Sequence, residues 1–286
     1  MHMFRYNPLF KTWVMIGSPI SNALSVTQAH ILTNGKSNGF VAATHPRHPF
    51  LLDPETKKVQ PASERLYKDN PALGDYELLL YSGSQDFWEW DTKTWQNWIL
   101  LVQQRLIQSY HNPHLHYAQF SFSTSDLDSI KGFQRVGDLV LTSHPLQEVP
   151  MLTEELTHKI LSKELDYVIH QDGFGALYVP SAPTEDGEVW YLPQPQSPQI
   201  DSIGKDQRLA TARILHKLFT ALHHEYPSSQ HVLHIYTYLS NSNEDISWFI
   251  RIHKKTEKPG VVPVHSAPEF FAQKLILGGH FRPVKS

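Results

Sequence analysis

Apolar residues recur along this chain with two periods, and each period predicts a different element. At helical spacing, Trp95, Trp98 and Ile99, Val102, Leu106 and Tyr110 form one stripe. Asp91-Thr92 caps its start and Pro113 stops it, which predicts a helix over about 91–110. A second stripe, Leu209, Ala212, Leu215, Leu218 with Phe219, and Leu222, predicts a helix over 206–225. Residues 152–163 read as a shorter helix. Short apolar or alternating runs predict strands at 13–16, 76–82, 117–123, 165–169, 175–180, 188–193, 231–239 and 247–253. Residues 132–150 read as a turn, a strand and then His-Pro-x-Gln. Residues 34–65, rich in Gly, Pro, Ser and Thr, and the polar segment 123–131 read as loop, and 193–198 as a Pro-rich connector.

The chain has 286 residues, enough for one large domain or two medium ones with an unstapled core. Forty per cent of residues are apolar and 12% aromatic, which places it among globular chains. The formal charge of -3 offers no basic excess to neutralise a phosphate backbone, so nucleic acid is not an expected partner. Cysteine is absent, which removes disulfides, cysteine–zinc sites and thiol nucleophiles together. No apolar run reaches the ~18–20 residues of a membrane span, and residues 1–6 lack the features of a secretory leader. The expected location is the cytoplasm. Eighteen histidines are present, so any one of them needs context before it counts. His45 and His48 lack a third ligand, and His114 and His116 read as loop residues entering a strand, so neither a metal nor a cofactor is expected.

Several motifs carry a resemblance, and they occur in a consistent order. They are Arg5-Tyr6-Asn7-Pro8-Leu9 with Trp13, Asn70-Pro71-Ala72-Leu73, the stretch 132–150, the strand 188–193, Trp248-x-x-Arg251-x-His253, and 270–279. Together they resemble the galactose-1-phosphate uridylyltransferase family. The resemblance implies an α+β fold of two histidine-triad-like halves, each an antiparallel sheet with flanking helices, divided as 1–150 and 151–286. It also implies a homodimer and a reaction through a nucleotidyl-histidine intermediate, for which a neutral imidazole is suited.

The chain departs from that pattern at the residues that matter most. Relatives carry His-x-His-x-Gln, whose second His attacks the α-phosphate. Here the sequence is Ser143-His144-Pro145-Leu146-Gln147. The nucleophile position falls on Leu146 or Pro145, and neither can attack phosphorus. A slip of register could bring His144 into use, although one residue of slip turns a strand side chain to the other face. Residues 18–23 lack the family's arginines, and Gln85 stands where some members place a zinc-binding His. His144 is therefore the catalytic candidate, and Arg135, Gln147, Arg251 and His253 are the substrate-binding candidates. Arg251 and His253 lie two apart on a strand, share a face, and suit a phosphate clamp.

The function expected from these residues is binding of a nucleotide or sugar phosphate without uridylyltransferase activity. Two alternatives stand beside it: an active nucleotidyltransferase or nucleotide-sugar phosphorylase that uses a displaced His, and a structural or partner-binding protein.

Overall fold

The computed structural model describes residues 3–7, 12–16, 39–44, 50–52, 59–61, 73–83, 86–113, 115–124, 129–130, 133–142, 152–163, 165–194, 199–240, 246–255, 267–278 and 281. His144 and Gln147 lie outside these residues, as do His45, His48, Gln85 and His114.

Strands β1 (Met3–Asn7) and β2 (Thr12–Ile16) pair with each other. The remaining strands form one antiparallel sheet of twelve. The first half of the chain supplies β3 (Phe40–Thr44), β4 (Phe50–Leu52), β5 (Val59–Pro61), β6 (Leu73–Tyr81), β7 (Tyr117–Ser123), β8 (Ser129–Ile130) and β9 (Phe133–Thr142), with helix α1 (Thr92–Gln108) after β6. The second half supplies helix α2 (Glu154–Lys163), β10 (Val168–Asp172), β11 (Gly175–Tyr178), β12 (Val189–Pro193), helix α3 (Lys205–Glu225), β13 (His231–Tyr238), β14 (Phe249–Lys254) and helix α4 (Pro268–Leu277).

The middle of the sheet runs β12-β14-β13-β7-β9-β6. That order is symmetrical about the β13–β7 pair. The units β6–α1–β7–β9 and β12–α3–β13–β14 have the same connectivity, so the fold is α+β with two like halves, each an antiparallel sheet with helices on it. The two half-sheets join edge to edge, with Val232 opposite Ser123 and Tyr238 opposite Tyr117 at the ends of the junction.

Period-2 geometry sorts the side chains of these strands onto two faces. Phe120, Phe122, Leu139, Leu141, Leu233, Ile235, Ile250 and Ile252 point one way and pack with Trp95, Trp98, Leu215, Leu218 and Phe219 of α1 and α3 in the main core. The Asp91 carboxylate caps α1 by accepting from Thr94 N at 2.7 Å, and Trp98 Nε1 ties the helix to Val136 O on β9. The opposite face of the central strands carries a second apolar cluster, built on Tyr117, Tyr178, Leu192, Tyr236 and Phe249 and capped by Leu161 of α2.

Residues 34–65 correct the loop expectation, because β3, β4 and β5 all fall within them. These segments are only three to five residues long, too short to announce a strand by period. Non-local pairing with β6 makes β3 and β4 strands, and β5 then pairs with β4. A two-residue strand, β8, also interrupts the segment read as loop over 123–131. Residues 165–167 form a 3-10 turn, so the strand expected over 165–169 begins only at Val168.

Candidate functional site

The sheet register brings a polar row onto the face that α1 and α3 leave uncovered. Arg251 lies opposite His234, His234 opposite Ser121, and Ser121 opposite Asp138. Directly opposed residues of an antiparallel pair share a face. Four neighbouring strands therefore set Arg251, His234, Ser121 and Asp138 in line, and His253 lies two residues along β14 on the same side.

The two imidazoles are stacked, with ring centroids 5.5 Å apart and planes 21° from parallel. The Ser121 hydroxyl is 3.0 Å from His234 Nδ1. His253 Nδ1 is 2.8 Å from the Lys254 carbonyl oxygen. A carbonyl can only accept, so Nδ1 of His253 carries the proton and Nε2 of the neutral ring presents a lone pair. Burial pushes His234 down to about 3, with the charges of His253 and Arg251 adding to it. His253 is also held below its ordinary value, again mainly by burial. Both rings are therefore neutral at physiological pH. A ladder of rings holds their planes: Trp190 stacks on Phe249, Phe249 on Tyr236, and Tyr236 lies against His234.

Arg251 is fixed by the turn that leads into β12. Its Nε donates to Glu188 Oε1 and its Nη2 to Thr184 Oγ1, both at 2.6 Å. The Glu188 carboxylate also accepts from Thr184 N, Glu185 N and Trp190 Nε1. Burial opposes its charge, but Arg251 and these donors together hold it below the ordinary carboxylate value. Gly187, at φ +62°, makes the turn, and Lys254 clasps the same turn through Asp186 at 2.9 Å.

Arg135 pairs with Asp138, its Nε donating to Oδ1 at 2.9 Å and its Nη2 to Oδ2. Tyr76 Oη also donates to Asp138 Oδ2, at 3.1 Å. Residues three apart on a regular strand face opposite sides. A register shift at this point of β9 brings Arg135 and Asp138 together. Gly137 makes the shift possible, at φ +137°, with a built Cβ only 3.3 Å from Ser121 O. Gly137→Ala should destabilise the fold by about 1–3 kcal/mol and loosen the Arg135–Asp138 pair. A fall in the denaturation midpoint at unchanged slope checks it.

Arg251 and His253 of the sequence-derived set thus share one face, and Arg135 belongs to the neighbouring strand pair. Sequence reasoning passed over His234, Ser121 and Glu188. Alternation along β13 held the signal for His234, because it shares a face with Val232, Tyr236 and Tyr238 and is the imidazole among them.

No protein-family model matches the chain, and no curated protein matches it by sequence. Solved structures do match. A uridylyltransferase structure aligns with a TM-score of 0.68 at 10% identity over 96% of this chain and 97% of that one. An ADP-glucose phosphorylase from Arabidopsis thaliana with bound ADP-glucose aligns with a TM-score of 0.65 at 13% identity, over 95% and 97%. A galactose-1-phosphate uridylyltransferase-like protein from Arabidopsis thaliana aligns with a TM-score of 0.63, also at 13%, over 95% and 97%. The chain therefore shares the fold of these structures along nearly its whole length. Among the described residues no helix is long and apolar enough to cross a membrane.

Proposed function

We propose that this chain binds a nucleotide or nucleotide sugar on the face of its sheet that α1 and α3 leave uncovered, and that it does not transfer uridylyl groups through a covalent histidine. The observation that carries the reading is the in-register row of Ser121, His234 and Arg251 with His253 stacked beside it. It sets polar groups of three neighbouring strands at the centre of a sheet whose other face is sealed by helices. The fold shared with a structure holding ADP-glucose supports a ligand of that class. The loss of transfer rests on Pro145 and Leu146, which offer no nucleophile where relatives have His.

Thermal-shift measurements with UDP, ADP, GDP and their sugars test the binding. A true ligand at a hundred times its Kd adds ~2.7 kcal/mol of stability. Intact-mass spectrometry after incubation with a nucleotide sugar tests the chemistry, and the unmodified mass is the expected result. A nucleotidyl adduct mapped to His144 would establish the displaced-histidine enzyme instead.

A further inference from the structure

The polar row differs from a phosphate clamp in one respect. An oxyanion asks for donors on every side, and a lone pair aimed at it repels. His253 Nδ1 is committed to the Lys254 carbonyl, so Nε2 of the neutral ring is an acceptor. Arg251, the cation of this row, already shares its charge with Glu188 at 2.6 Å. The row as a whole is close to charge-neutral.

A hydroxyl group, unlike an oxyanion, needs an acceptor for its proton as well as a donor to its oxygen. His253 Nε2 is such an acceptor. His234 is adaptable: the Ser121 hydroxyl at its Nδ1 can either donate or accept, so Nε2 can be presented in either role. The two rings stack, and the ring ladder behind His234 limits its rotation.

We propose that His234, His253 and Arg251 form a subsite for the uncharged, hydroxyl-bearing sugar ring that a nucleotide sugar carries beyond its phosphates, and not for the phosphates or the nucleotide's own ribose. The inference deepens the reading above and rests on it for the face that takes the ligand. His253 retains 9% of its exposure, and Arg251 stays partly exposed, so the row can be reached from that face.

The test uses the full chain labelled with 15N and reads the imidazole nitrogens of His234 and His253. Methyl glycosides of glucose and galactose are titrated separately from inorganic phosphate, ADP and ADP-glucose. The expected result is that glycosides and ADP-glucose move the His253 Nε2 resonance while phosphate and ADP do not. His253→Phe keeps a ring in the stack but removes the acceptor. It should weaken ADP-glucose binding tenfold or more and leave ADP unchanged, and His253→Gln, which restores an acceptor, should recover part of the loss. A shift of either imidazole caused by phosphate, or no response to any glycoside or nucleotide sugar, overturns the subsite. ADP-glucose binding without an imidazole response overturns the subsite but spares the nucleotide reading. Glycoside binding at His253 without any nucleotide binding supports the subsite and removes the nucleotide reading.

Discussion

Arg105→Ala should lower the stability of this protein by about 3–5 kcal/mol, the range for breaking a buried ion pair from one side. Arg105 of α1 meets Glu77 of β6 in a two-pronged contact, Nε to Oε2 at 2.6 Å and Nη2 to Oε1 at 2.5 Å. Both residues are buried, at 8% and 4% exposure. Glu77 lies opposite Leu139 and so faces the helices. Truncating Arg105 strands a carboxylate among apolar neighbours, and the loss is larger than the Coulomb attraction alone. The double variant Glu77→Leu with Arg105→Met separates the two contributions. It fills similar volume without charge and should be close to neutral, or even stabilising. Urea denaturation of the three proteins checks this. A double variant as unstable as Arg105→Ala would show that the pair supplies net stability of its own.

Acidification should destabilise the fold well before the carboxylates titrate. His231 and His234 both lie on β13, and burial holds His231 down to about 4 and His234 to about 3. For His231 the charges of Lys254 and His253 add to the burial, and its buried Nε2 has no hydrogen-bond partner among the described residues. Both folded values lie below the ordinary 6.5. The unfolded chain therefore binds protons that the folded chain refuses, and stability rises with pH in that window. The contribution is complete above pH 6.5 and is lost progressively as pH falls towards 4 for His231 and 3 for His234. At 1.36 kcal/mol per pH unit, each histidine should cost roughly 2 kcal/mol at pH 5. Denaturation curves at pH 7.5 and 5.0 should differ by about that sum. His231→Gln and His234→Asn should each flatten the dependence by about half. An unchanged pH slope in both variants would assign the acid sensitivity to other groups.

Much of this architecture was legible in the residues. The stripes over 91–110 and 206–225 became α1 and α3 within a residue or two at either end, apart from the last turn of the first, which tightens into a 3-10 helix. Strands β7, β11, β12 and β13 stand where alternation placed them. Helical period and caps are local properties, which is why they survive without a tertiary context. β3, β4 and β5 were not legible, because β3 and β4 are short segments that become strands only against the distant β6, and β5 only against β4. The pairing of Arg135 with Asp138 was hidden for a related reason. Period 2 separates residues three apart, and only the bulge at Gly137 joins them. A glycine inside a strand was the available signal.

For the candidate site the division is sharper. Period 2 alone put Arg251 and His253 on a common face, since that follows from the pleat of a single strand. The partners that give these residues their character come from elsewhere: His234 from β13, Ser121 from β7, and Glu188 from the turn before β12. Their sequence separations reach 113 residues between Ser121 and His234, and no local pattern reports such a pairing. The sequence by itself determined that a guanidinium and an imidazole would stand together on one side of a strand. Only the tertiary structure decided that Glu188 would balance the guanidinium and that His234 would stack on His253, because the first depends on how the turn before β12 folds against β14 and the second on how the sheet aligns β13 with β14.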